Sequence, residues 1–165
     1  MSAAPSPPIQ IARSYHGHAH GAARDTVTLT YDARFLRRKV LALAGGGSVL
    51  VDLPQTTSLD HGGVLVLEGG GEIAIEAAPE PLLEVSGNGL HRLAWHIGNR
   101  HTPCQIEETR LLIQRDHVIR DMLERLGATL AEVIEPFTPE GGAYGHGRTH
   151  SHDHGHTAHS DSHAH

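Results

Sequence analysis

Apolar and polar positions alternate through the first half of the chain. Thr26-Val-Thr-Leu-Thr-Tyr31 switches at every residue, the period of a strand with one wet face. Val40-Leu-Ala-Leu43 and Val49-Leu-Val-Asp-Leu53 flank Gly45-Gly46-Gly47. Val64-Leu-Val-Leu67 and Ile73-Ala-Ile75 flank Gly69-Gly70-Gly71 in the same way, so both pairs read as hairpins. No helical period interrupts the stretch from Ile9 to Ala78.

Beyond Ala78-Pro79-Glu80-Pro81 the period changes. Leu82-Leu-Glu-Val85 reads as a strand. Leu90, Leu93, Ala94 and Ile97 then recur at helical spacing, with Asn88 as the expected N-cap and Gly98 as the expected stop. Two short strands are expected within residues 104–114, around Glu107-Glu108-Thr109. Asp116 caps a second helix carrying Ile119, Met122, Leu123 and Leu126, which ends at Gly127, and Leu130-Ala-Glu-Val-Ile134 is a last strand. Strand, helix, two strands, helix, strand is the ferredoxin-like βαββαβ order. The expected fold class is therefore α+β, with a β-rich N-terminal domain over residues 1–78 and a ferredoxin-like domain over residues 79–142. A tail over residues 143–165 has no aliphatic side chain larger than alanine and is expected to be disordered. Each domain is small enough to be marginal alone, which favours mutual docking and dimerisation.

Composition adds one decisive feature. The chain has 165 residues, of which 16 are histidine, and eight of those fall in the last twenty positions. Three more form His16-Gly-His18-Ala-His20. Net charge is -6 with neutral histidines, which argues against a nucleic-acid-binding surface and a polybasic membrane anchor. The single cysteine, Cys104, excludes an intrachain disulfide framework and fits a reducing compartment. No apolar run of about 18 residues is present, and the N-terminal Met-Ser-Ala-Ala-Pro lacks the features of a signal peptide, so the chain reads as cytoplasmic. The serine-hydrolase, phosphate-loop and zinc-protease motifs are absent, which argues against an enzyme.

Neutral imidazole is a good ligand for nickel, zinc and copper, and His-x-His spacing in a flexible chain lets several rings wrap one ion. His150-Ser-His152-Asp-His154-Gly-His156 has that spacing, unlike the contiguous run of a purification tag. Such ligands select poorly among Ni²⁺, Zn²⁺ and Cu²⁺, and they suit carrying a metal better than activating water on one. His61, His91 and His96 read as solvated surface, Cys104 as a small buried apolar side chain, and His101, just past the expected helix end, as structural on its residue type alone. His117 occupies the first turn of the second helix, where the helix dipole disfavours a positive ring. His16, His18 and His20 read as an auxiliary binding cluster or a plain mobile loop.

Three segments carry a resemblance. Trp95-His-Ile-Gly-Asn-Arg-His-Thr-Pro103, Arg115-Asp-His-Val-Ile-Arg-Asp-Met-Leu123 and Pro136-Phe-Thr-Pro-Glu-Gly-Gly-Ala-Tyr144, followed by a histidine tail, resemble the urease accessory protein E family of nickel metallochaperones. Leu53-Pro54 and Asp60-His-Gly-Gly-Val-Leu65 resemble it more loosely. The resemblance implies an N-terminal domain similar to the peptide-binding domain of Hsp40-type chaperones. It also implies a metal-binding domain that forms a homodimer, and Ni²⁺ as the ion carried during urease metallocentre assembly. His101, from Gly-Asn-Arg-His, would then supply the interfacial metal site, with tail histidines completing it. His117 matches a histidine of secondary sites, although Arg115 stands where some members have the first histidine of a His-x-His pair. The implied partners are the urease apoprotein complex and its GTPase accessory protein; the rival reading is a nickel or zinc buffer without a client.

Because imidazolium cannot bind a cation and unperturbed imidazole titrates near pH ~6.5, nickel capacity of the protein should fall steeply between about pH 7 and 5.5. Equilibrium dialysis across that range checks this, and an unchanged stoichiometry at the acid end refutes imidazole ligation.

Overall fold

The computed structural model describes residues 3–5, 7–142 and Arg148. Six strands, β1 (Gln10–His16), β2 (Asp25–Leu29), β3 (Phe35–Ala42), β4 (Ser48–Ser58), β5 (Val64–Leu67) and β6 (Glu72–Ala77), form one sheet in the order β2-β6-β5-β1-β4-β3. Both hairpins expected from the glycine triplets are present, as the antiparallel pairs β3/β4 and β5/β6. The expected strand at Thr26–Tyr31 runs instead from Asp25 to Leu29, and Tyr31 leads into a short 3-10 turn. Alternation buries Val49, Val51 and Leu53 of β4, and Ile73 and Ile75 of β6. One apolar cluster takes side chains from all six strands, including the edge strands β2 (Val27) and β3 (Leu36, Leu41). A single sheet achieves that only by curling until its edges share a core. The β5/β6 turn requires glycine at Gly71, where φ is +94° and a Cβ would lie 2.3 Å from Arg24 Nε.

The second sheet is built from β7 (Pro79–Ser86), β8 (Gln105–Ile106), β9 (Leu111–Gln114) and β10 (Thr129–Pro136), with α1 (Leu90–Asn99) and α2 (His117–Arg125) between them. Its order is β10-β7-β9-β8 with every neighbour antiparallel, the ferredoxin-like arrangement. Leu83, Val85, Leu111 and Ile113 face the helices and pack on Leu93, Ile97, Ile119 and Leu123. Leu82 and Leu112 point the other way, onto Tyr31 and Phe137. Strands covered on both faces carry consecutive apolar residues, which is why Leu82-Leu83 and Leu111-Leu-Ile113 do not alternate. Arg110 spans the sheet's surface, donating to Glu84, Glu107 and Glu135, and it holds the Glu135 carboxyl below its ordinary range.

The capping of α2 matches expectation, and that of α1 departs from it at both ends. Asp116 accepts from the N–H groups of Val118 and Ile119, as its position predicts. Asn88 does not cap α1; Gly89, in the left-handed conformation, occupies that place without a side-chain bond. Gly98 does not stop α1 either, because the helix continues through it to Asn99.

The joint between the sheets is polar and buried. Arg34 is 3% exposed and donates to three carbonyls, those of Leu29 (2.9 Å), Leu59 (3.1 Å) and Phe137 (2.5 Å). Burial lowers its pKa and the nearby Glu80 opposes that shift. Glu80, also buried, accepts from the Tyr31 N–H at 2.8 Å. The Tyr31 and Phe137 rings meet edge to face at 5.4 Å. Above them lies a cleft of about 420 Å³ lined in part by Asp60, His61 and Glu140. Arg148 reaches into it, its guanidinium 3.6 Å from the Tyr31 ring centre and its Nε 3.2 Å from Ser58 Oγ.

Replacing Arg34 with methionine keeps much of the volume and strips donors from buried carbonyls. The Arg34→Met protein should lose about 3 kcal/mol of stability in urea unfolding, and Arg34→Lys should recover only part of it, since one ammonium cannot serve three divergent acceptors.

Candidate metal centre

His101 stands at the end of α1 in a conformation that side chains usually avoid. Its φ is +57°, the only positive value at a non-glycine among the described residues. The His101 N–H donates to the Gly98 carbonyl at 2.9 Å, and the Thr102 N–H donates to that of Ile97 at 3.4 Å. These are the two bonds of a Schellman cap, whose left-handed residue is normally glycine. Helix α2 ends in the same motif with Gly127 in that role, through Gly127 N–H to Glu124 and Ala128 N–H to Leu123, both at 3.0 Å. One fold thus uses the motif twice, once with the residue that costs nothing and once with histidine, which costs roughly 1 kcal/mol. Strain of this kind, held in place by surrounding structure, is characteristic of functional positions.

The surroundings of His101 are open. The residue is exposed and borders a hollow of about 170 Å³ shared with Ala94, Cys104, Ile106 and Glu140. On the same helix Trp95 leaves 63% of its surface uncovered, and Ile106 is also exposed. The Cys104 thiol is pushed up to about 11 by burial and by the charge of Glu140, so without a bound cation it is a neutral thiol. The sequence predicts a small buried apolar side chain at Cys104; it packs against the helix-side core but is only half-buried.

His117 lies at the N-terminal end of α2, in a hollow of about 210 Å³ with Arg115, Arg120 and Glu132. Arg115 spends its donors on the Leu82 and Val133 carbonyls, both at 3.1 Å, and Arg120 pairs with Glu132 at 3.3 Å. The hollow thus holds two guanidinium groups against the carboxylates of Asp116 and Glu132, and those carboxylates are already spent on the α2 cap and on Arg120, so His117 has little help in holding a cation. Strand order puts His101 and His117 at the same end of the second sheet. Among the described residues, however, no three His, Cys, Asp or Glu side chains converge on one point.

The other histidines separate by contact. His61 is exposed but tied: its Nδ1 accepts the Ala77 N–H at 3.0 Å, which commits that lone pair to the turn. His91 is exposed, and His96 packs edge-on against Trp95 with ring centres 5.1 Å apart. His16, His18 and His20 cluster, with His20 within 5.1 Å of His16 and 4.8 Å of His18, ring centre to ring centre. His150, His152, His154 and His156 lie outside the described residues, as does the rest of the tail expected to be disordered except Arg148, which is seated on Tyr31.

Comparison with known proteins decides the kinship. Residues 9–78 match the family described as UreE urease accessory protein, N-terminal domain, and residues 80–165 match its C-terminal domain. The chain belongs to the UreE family. A urease accessory protein UreE of Ruegeria sp. is 73% identical over 146 residues, covering 88% of this chain and 83% of its own. UreE of Ruegeria pomeroyi is 69% identical over 132 residues, 80% of this chain and 89% of its own. UreE of Cereibacter sphaeroides is 57% identical over 139 residues, 84% of this chain and 76% of its own. UreE proteins are accessory chaperones of urease, so this chain is a urease maturation factor and not an enzyme.

Within the UreE fold, the strained backbone of His101 and the exposed Trp95 were not visible as such in the sequence. Trp95 could have been suspected, since it lies off the Leu90/Leu93/Ile97 stripe, and an indole on the wet face of a helix wants a partner. No helix among the described residues is long and apolar enough to cross a membrane.

The strain at His101 has a direct test. His101→Gly should raise thermal stability by about 1 kcal/mol, whereas His101→Val, β-branched and intolerant of positive φ, should lower it by at least as much. Equal stability of the two variants would show that the left-handed geometry is absent in solution.

Proposed function

We propose that this UreE chain carries Ni²⁺ as cargo and hands it on during urease metallocentre assembly. The observation that supports this most directly is His101, an exposed imidazole kept in a left-handed cap that glycine would fill at lower cost. In this reading the protein is a homodimer in the cytoplasm. Two copies meet through the face bearing Trp95, and the twofold axis sets one His101 from each protomer on a single ion. A platform of two rings leaves coordination positions for water, for tail histidines and for the recipient, so ligands can be exchanged one at a time. His150, His152, His154 and His156 collect ions and present them, and His117 contributes at most a secondary site because of Arg115 and Arg120 beside it. Zn²⁺ and Cu²⁺ bind the same donors. The division of labour follows the sequence: residues 1–78 as a docking domain, 79–142 as the metal-binding and dimerising domain, 143–165 as the store. Recipients are the urease apoprotein complex and its GTPase accessory protein. A pull-down with those two proteins separates this reading from a client-free metal buffer.

The decisive variants change histidines and nothing else. Replacing all eight tail histidines with alanine keeps Arg148 on Tyr31, which truncation after Tyr144 would remove along with the tail. That protein should remain dimeric and keep one Ni²⁺ per dimer on its paired His101 rings. His101→Ala should retain most of the total capacity and lose most urease activation at limiting nickel. If the tail variant fails to activate urease while His101→Ala succeeds, the tail is the delivery site and the assignment to His101 is wrong.

A further inference from the structure

The three N-terminal histidines are held together by more than sequence spacing. β1 ends at His16, which pairs with Val64 of β5, so one ring stands on a fixed strand. His20 is fixed from the other side. Its backbone N–H donates to both carboxylate oxygens of Glu72, at 3.0 and 3.4 Å, and Glu72 is the first residue of β6. The Arg24 N–H donates to the Glu72 carbonyl at 2.8 Å, closing the same loop further on. The segment from His16 to Arg24 is therefore pinned to the sheet at both ends, and it gathers three imidazoles that solvent would otherwise keep apart.

We propose that His16, His18 and His20, backed by Glu72, form a separate site for one late-transition divalent ion on the N-terminal sheet of each protomer. Three imidazoles with a carboxylate at their edge suit Ni²⁺, Cu²⁺ or Zn²⁺ and not the oxygen-seeking Mg²⁺ or Ca²⁺. The Glu72 carboxylate lies 4.0 Å from His20 Nδ1 and is itself largely covered, with 14% side-chain exposure. At that distance it makes no hydrogen bond to the ring as it stands, but a small turn of the ring brings Nδ1–H onto the carboxylate and leaves Nε2 as the metal donor, the usual outer-sphere support of a ligating histidine. As the rings stand they lean on one another, at 86° for His16 and His20 and 43° for His18 and His20, and the donor atoms do not converge. Bringing them round an ion needs only side-chain rotation. All three residues are exposed, and nothing lies within 4 Å of a Cβ placed at Gly17 or Gly21. Because all donors come from one chain, this site neither needs the dimer nor shares ligands with His101 or the tail.

Nitrogen-15 amide spectra of the full chain titrated with Ni²⁺ alone test the proposal, because paramagnetic broadening reports where each ion sits. Broadening of Gly17, Val64, Glu72 and Ala74 is expected, and the His16→Ala/His18→Ala/His20→Ala protein should lose it while signals near His101 still respond. Glu72→Gln should need roughly tenfold more Ni²⁺ for the same broadening at Val64. Val64 and Glu72 amides that stay sharp after the His101 region has broadened would overturn the site. So would broadening that persists in the triple variant. A failure of nickel delivery would appear in the His101 signals instead, and so be read separately.

Discussion

A single buried guanidinium holds the two sheets of this protein in register. Arg34 serves a carbonyl at the end of β2, another just beyond β4 and a third just beyond β10, so its position is defined only when all three segments are in place. Burying a cation without a directly bonded carboxylate is unfavourable, and three convergent carbonyls offset that penalty only if the geometry is kept. Everything else at the joint takes its place from this. Tyr31 is three residues away and can meet Phe137 because Arg34 fixes both backbones, and Glu80 accepts the Tyr31 N–H from the opposite side. The cleft above, and the seat Arg148 takes over Tyr31, exist because the joint leaves the aromatic face uncovered.

The second sheet works under a different constraint. Its two central strands are apolar on both faces, one committed to the helices and one to the joint. Those central strands leave little for a partner, so exposed apolar side chains are found on the edge strands, at Ile106 and Ile134, and on the helices and their ends. Trp95, Val118 and Leu126 are exposed there, and so is His101. A helix terminus has room to present a side chain outward, and His101 stands at one.

How much of this could be read in the sequence depended on how local the determining interaction was. The hairpins at Gly45–Gly47 and Gly69–Gly71, the cap at Asp116 and the βαββαβ order all rest on neighbours within a few residues, and patterning exposes them. The parallel pairs β1/β4 and β2/β6 join segments some forty to fifty residues apart, and no turn residue announces them. The end of α1 was misplaced because Gly98 looks like a stop. The helix in fact closes where the Ile97 carbonyl meets the Thr102 N–H, three-dimensional information carried by no single residue type. Arg34 reads as an ordinary surface arginine, since its three acceptors come from residues 29, 59 and 137. For the site, residue type alone put His101 with structural histidines, and only the resemblance pointed to it. The clustering of His16, His18 and His20 was visible as spacing, while its anchor, Glu72, lies some fifty residues away.

The left-handed cap also shapes how this protein can change over generations. Besides glycine, asparagine and aspartate are the side chains that tolerate such a backbone best, and each is one first-base change from a histidine codon. Two of the single-base substitutions open to position 101 therefore preserve the fold and delete the imidazole. Lineages that drift there would keep a well-folded, abundant protein without that imidazole, a change that no measure of expression or stability detects. On the function proposed above, only a nickel-limited environment, where handing over the ion decides growth, would select against them.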